Sequence, residues 1–294
     1  MRTRSGLLSA LCVAGIAFAG PAHADDKVET LAPNSPWSLD YAEEKCRLAR
    51  VFGDEANRTV LFFEQGAPGQ SFSMSVGGAS INAMRAVREV DISFGPLLHK
   101  DVRHFIGEFE GLGRAIILTG IALDPELDVD EEQEALPVAP KAIDTQVAGG
   151  LTQIGVSRGS RTVMLETGAL DKPFAALNQC AFDLIRHWGL DADQHRTMTR
   201  DAKWTNQKVV SRRIAQLYPA SALQAGEMGF VRMRVIIETD GAVSECKIES
   251  ATATDHLESP ACREMRGASF EPALDREGQP MRSYHTTTIV YVMG

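Results

Sequence analysis

The chain has 294 residues, 44% hydrophobic and 23% charged, which fits a globular protein of about two domains and excludes disordered and fibrous classes. Its 39 acids against 30 bases give a net charge of −9, so there is no basic surplus of the kind a general nucleic-acid binder uses to displace counterions. The acid excess sits in residues 25–200, with 27 acids and 17 bases, whereas residues 201–294 hold 12 and 11.

Arg2 and Arg4 precede the apolar run Leu7 to Gly20, and Pro21-Ala22-His23-Ala24 follows before Asp25. A basic start, a short apolar stretch and an Ala-x-Ala end predict a secretory signal peptide over residues 1–24, cleaved after Ala24. The competing reading is an inner-membrane anchor through residues 7–20, but 14 residues fall short of the roughly 20 that span a bilayer. The reading that follows is of a soluble, exported, periplasmic protein. With Cys12 removed, Cys46, Cys180, Cys246 and Cys262 remain, and four cysteines allow three connectivities. Proximity favours Cys246–Cys262, leaving Cys46–Cys180, as structural disulfides of an exported chain. The absence of a C-x2-C pair argues against a metal site.

From Trp37 to Leu170 short apolar or alternating runs recur: Trp37 to Tyr41, Thr59 to Phe63, Phe72 to Val76, Val90 to Phe94, Ala115 to Leu123 and Thr162 to Glu166. Breaks such as Gly66-Ala67-Pro68-Gly69, Gly77-Gly78 and Gly149-Gly150 separate them. This pattern predicts a mostly antiparallel β domain over residues 25–190, with a short helix over Ser80 to Arg88. Seven acids fall within Asp124 to Glu134, but Val129 stands where a calcium loop of the EF-hand type needs glycine, so this run reads as a solvated loop. Asp171 as N-cap and Pro173 in the first turn open a helix. Phe174, Leu177, Cys180, Ala181, Leu184, Ile185 and Trp188 form its apolar stripe, carrying Cys180 inward toward strand-borne Cys46. Gly189 ends it, and His187 lies off the stripe as a surface group.

Residues 191–207 are polar and without periodicity, a linker. Residues 208–294 then read as α-β-β-α-β. Val209, Val210, Ile214 and Leu217 mark a helix ended by Tyr218-Pro219. Phe230 to Glu238 and Val243 to Ser250 form a hairpin around Asp240-Gly241, His256 to Met265 a helix, and Ser283 to Met293 the last strand. The fold class is therefore α+β: a β-rich domain closed by one helix, then a small domain with an antiparallel sheet.

Tyr218-Pro219, Ala222, Gly226, Gly229 and Val231 begin an ordered pattern, followed by Asp240-Gly241-x-Val243, Ile248, Ser250 and Leu257. Phe270-x-Pro272-Ala273-x-Asp275-x-x-Gly278-x-Pro280 completes it. This resembles the C-terminal domain of TonB-family energy transducers, over about residues 208–294. The resemblance implies a periplasmic interaction module for outer-membrane transporters, taking a partner segment as an added strand. Ser283 to Met293 is the candidate edge. Where such transducers carry a membrane helix and a Pro-rich spacer, this chain has a cleavable signal, scattered prolines and a folded domain. The sequence leaves a homodimer open.

Little catalytic chemistry stands out. Gly155-Val156-Ser157-Arg158-Gly159 matches the G-x-S-x-G nucleophile elbow but lacks its strand-turn-helix setting, and reads as a hairpin turn. No histidine pair has metal-ligand spacing, and neither a P-loop nor a dinucleotide fingerprint occurs. Arg212-Arg213 and Arg232-x-Arg234 read as a solvated basic face. No cofactor is expected. The favoured function is a non-enzymatic interaction protein. The alternative is a periplasmic ligand-binding protein or enzyme with its site in residues 25–190, which would gather His99, His104 or Ser157 with a carboxylate.

Overall fold

A computed structural model describes residues 27–82, 84, 89–109, 111–127, 137–139, 141–217, 220, 224, 229–251 and 261–291. The signal segment, residues 128–134 of the acidic run, and Tyr218, Pro219, Ala222, Gly226 and Leu257 of the C-terminal pattern lie outside these residues.

The N-terminal part is two sheets around one core. The first has five strands, β1 (Lys27–Leu31), β6 (Glu89–Phe94), β7 (Leu97–Arg103), β10 (Gln153–Arg158) and β11 (Arg161–Glu166), in the order β1-β11-β10-β6-β7. The second has six: β2 (Ser38–Tyr41), β3 (Cys46–Phe52), β4 (Thr59–Gln65), β5 (Phe72–Gly78), β8 (Phe105–Phe109) and β9 (Gly113–Ile121), in the order β2-β3-β4-β5-β9-β8. All pairings are antiparallel except β1 with β11. Strand alternation explains the shared core: Val90, Ile92 and Phe94 point inward from the first sheet, Leu61 and Phe63 from the second. Phe63 packs edge-on against Phe72 and Phe174 at 5.3 and 5.0 Å, and Trp37 covers it at 5.9 Å. Each buried aromatic of this kind contributes about 1.5–3 kcal/mol by leaving water.

Helix α1 (Thr145–Gly149) is capped by Asp144, whose carboxylate accepts from the backbone N–H groups of Gln146 and Val147. Helix α2 (Asp171–His187) buries the predicted stripe of Phe174, Leu177, Cys180, Ala181, Leu184 and Ile185, and His187 is exposed. Its start differs by one residue from the expected one. Leu170 is the N-cap without a side-chain bond, and Asp171 is already helical, placing its charge favourably in the first turn. Cys180 bonds Cys46 on β3 with Cα atoms 6.0 Å apart, tying the helix to the second sheet. Where a helix over 80–88 was expected, the described residues hold a short 3-10 turn, Ala79–Ile81.

The stretch 191–207 is more ordered than its composition suggests. Asp191 caps α3 (Ala192–Thr197), and Ala192, His195, Met198 and Trp204 are buried. Lys141 clamps Asp201 from the N-terminal part at 2.7 Å. Trp204 lies in β12 (Lys203–Trp204), which pairs with β15 (Phe270–Glu271) and leads into α4 (Gln207–Gln216).

The last region is built on a three-stranded antiparallel sheet, β14-β13-β18, with β13 (Gly229–Ile237) central, β14 (Val243–Ala251) on one side and β18 (Ser283–Tyr291) on the other. Helix α5 (Ala261–Met265) is the described part of the expected second helix, and Cys262 on it bonds Cys246 on β14, with Cα atoms 5.4 Å apart. A small pair, β16 (Ala273–Leu274) with β17 (Pro280–Met281), precedes β18. The fold is α+β and mostly antiparallel, and the strands among the described residues form no closed barrel. No helix among the described residues is long and apolar enough to cross a membrane.

Candidate functional site

Strand alternation gives β13 two different faces. Val231, Met233, Val235 and Ile237 point into a core with Val210 and Ile214 of α4, Met265 of α5, Trp204 and Phe270. Phe270 stacks on Trp204 at 5.8 Å within that core. Arg232, Arg234 and Ile236 belong to the opposite face, and Ile236 joins the core of the N-terminal part, as does Tyr284 of β18.

The residues of the C-terminal pattern shape this unit through backbone geometry. Gly241 has φ +84°, and a Cβ there would lie 1.9 Å from the Phe270 carbonyl oxygen. The hairpin turn and the strand entering at Phe270 thus touch backbone to backbone, and Phe270 N–H donates to the Gly241 carbonyl at 3.0 Å. Only glycine satisfies both demands. Asp240 accepts from Ala242 N–H at 2.9 Å. The Pro272 carbonyl accepts from Arg200 at 3.0 Å, and Ala273 is fully buried. Gly278 turns the chain at φ +74° before Pro280 in β17, and Gly229 is the first residue of β13.

The two edges of the sheet differ. Edge strand β14 carries Glu245, Lys247 and Glu249 and is fastened by its disulfide. Edge strand β18 is paired from Ser283 to Tyr291 with β13 on one side, and its other side has no strand partner among the described residues. From Ser283 to Tyr291 it contains no proline, lysine, arginine or acid, the usual devices that guard an exposed edge, and three consecutive threonines favour extended backbone. Thr288 and Val290 are exposed.

The other face of the sheet is closed by charge. Arg234, read from sequence as solvated, is 3% exposed. Its Nη1 donates to Glu44 at 2.9 Å, and its guanidinium lies 4.3 Å over the Trp188 ring. Lys247 also donates to Glu44, and Arg232 stands 3.3 Å from Glu249. The correction has a plain cause: i, i+2 spacing on a strand puts both arginines on one face, and that face meets acids from elsewhere in the chain. Arg212 and Arg213 do not join them; both are exposed. The signal available in the sequence was an arginine pair alternating with Val231, Met233 and Val235 on a central strand.

Glu43, Glu44 and His187 bring one ligand atom each within 4.8 Å of one another. Both oxygens of Glu44 are already engaged by Arg234 and Lys247, so the arrangement is an ion-pair corner.

The candidate catalytic groups of the N-terminal part are not assembled. Ser157 is on β10 opposite Asp91, and its hydroxyl meets that of Thr162 at 3.0 Å within the β10–β11 hairpin. His99 sits opposite Ile92, on the other face of that sheet, edge-on to Phe94 at 5.7 Å. Burial lowers the pKa of His99 and of His104, which favours neutral imidazoles. The G-x-S-x-G segment turns at Gly159, with φ +58°, into another strand.

Residues 215–293 match the family model of the Gram-negative bacterial TonB protein C-terminal. The last region is a TonB-type C-terminal module. The match spans under a third of the chain and covers β13, β14, α5 and β18. No curated protein matches the chain. The network around Arg234 therefore joins a TonB-type module to an N-terminal part that the family match does not cover.

Proposed function

We propose that the protein is an exported, non-enzymatic envelope protein whose TonB-type module captures an extended segment of an envelope or outer-membrane transporter as a strand added along β18. The observation that carries this is the contrast between the module's edges: β14 is charged and disulfide-fastened, while β18 is uncharged and lacks an outer partner among the described residues. Strand addition uses free main-chain donors and acceptors for affinity, and outward side chains such as Thr288 and Val290 for selectivity. The match of residues 215–293 supports the module's assignment, and the signal-like Met1 to Ala24 supports export. Direct force transmission is not part of the proposal, because the folded N-terminal part stands where a transducer carries its spacer. The reading as an enzyme or ligand-binding protein draws no support from Ser157 and His99, which face opposite sides of one sheet.

The test is site-specific photocrosslinking in intact cells. Crosslinkers at Thr288 and Val290 should join the protein to an envelope or transporter protein, while one at exposed Leu98 on β7 should not. Equal labelling from all three positions, or labelling only of a second copy of the chain, would remove the proposal's basis.

A further inference from the structure

The interface between the TonB-type sheet and the N-terminal part contains a carboxyl group with few partners. The Glu249 side chain is 1% exposed, and neither of its carboxylate oxygens has a hydrogen-bond partner. Arg232 Nε and Arg234 Nη1 stand 3.3 and 3.9 Å away, at ion-pair distance only. A Cβ on Gly66 would fall 2.6 Å from Glu249 Oε2, so the backbone after β4 closes over the carboxyl group. An ionised carboxylate in this place gives up its water and gains no hydrogen bond in return. A protonated one gives up far less. We propose that Glu249 is a proton-sensitive latch, which tightens the docking of the TonB-type sheet on the N-terminal part when it is protonated and loosens it when ionised.

The charged and titratable groups around it come from several elements. Arg232 and Arg234 on β13 favour its ionised form, while Glu44 from the β2–β3 loop opposes it. Glu245 and Lys247 flank it on β14 and pair with Arg234 and Glu44. Tyr284 on β18 also faces it, and Glu43 and His187 stand at the rim beside Glu44. Burial outweighs both arginines and pushes the Glu249 carboxyl up to about 7 from the ordinary 4.5.

The sign follows from linkage. A carboxyl whose docked pKa is raised holds its proton more tightly when docked, so its contribution is full below about 4.5 and is lost as pH rises through about 7. His195, stacked on Tyr284 at 5.5 Å, works in the opposite direction. Burial lowers its pKa, so its neutral form is the one docking favours, and acid below its ordinary value of 6.5 weakens docking.

Amide hydrogen exchange on the full chain, corrected for intrinsic rates, reads the opening of segments 60–66, 230–237 and 283–290 at each pH. The wild type should open about tenfold more per pH unit between roughly 4.5 and 7, less any opposing share from His195, and level off above. Glu249→Gln should remove this rise, leaving the acid weakening from His195 and, in segment 283–290, from His285 on β18, whose pKa burial lowers to about 4. Glu44→Gln should keep a rise that ends at lower pH. In a His195→Gln background, where that residue's opposing share is gone, a profile of segments 60–66 and 230–237 that is flat or falls from pH 5 to 7 overturns the latch even if Glu249→Gln does not fold. So does a Glu249→Gln variant that keeps the wild-type rise.

Discussion

Arg234 donates to Glu44 at 2.9 Å across 190 positions of sequence, and this contact joins the TonB-type module to the N-terminal part. The guanidinium also lies over Trp188 and within 3.9 Å of Glu249, so one side chain serves an acid from each part. Removing one partner of a buried ion pair leaves an uncompensated charge, which costs about 3–5 kcal/mol. Arg234→Ala should lose stability on that scale in urea unfolding, whereas Arg212→Ala on α4, outside this network, should change it by less than about 0.5 kcal/mol.

The two disulfides should differ in weight. Cys46–Cys180 closes a separation of 134 residues and Cys246–Cys262 one of 16. Chain entropy alone gives about 5 kcal/mol for the long loop and about 3 for the short one. Replacing Cys46 and Cys180 by alanine should therefore lower the thermal midpoint further than replacing Cys246 and Cys262. Calorimetry of the two double variants reads the order directly.

Gly241 and Gly159 both have positive φ, but they sit in different surroundings. A Cβ at Gly159 meets nothing within 4 Å, while one at Gly241 would strike the Phe270 carbonyl. Gly159→Ala should cost about 1 kcal/mol, as strain at a positive φ does. Gly241→Ala should cost clearly more, because backbone must move as well, and the extra loss should appear as faster exchange at Phe270 N–H.

Charging the open edge tests its use. Thr288→Lys with Val290→Lys places cations on exposed positions of β18 without touching the core. Stability should stay within about 0.5 kcal/mol, since neither side chain is buried. Photocrosslinking to the partner from a third position on the strand, Thr286, should fall at least tenfold, because a charged edge resists strand pairing.

Much of the fold was legible because its signals are local. The α2 stripe, the Asp240-Gly241 turn and the alternation of Val231, Met233 and Val235 each report on residues a few positions apart. The short strands β1, β3, β7, β8 and β10 were less legible. Arg47 and Arg50 lie within β3, and half-exposed charge blurs the period-two pattern. The role of Arg234 was not legible at all. A charged residue on a strand looks solvated until the chain brings Glu44, Glu249 and Trp188 to it, and no local pattern encodes that meeting. The ordering of 191–207 was hidden for the same reason, since Lys141 and Leu274 hold that stretch from 60 and 74 positions away.

The most direct test of the central claim is amide exchange on the full chain with and without synthetic peptides from the N-terminal segments of outer-membrane transporters. Strand addition along β18 predicts new protection confined to residues 283–291, with β14, β7 and β2 unchanged. Binding without protection of β18, or protection centred on another edge, would contradict it.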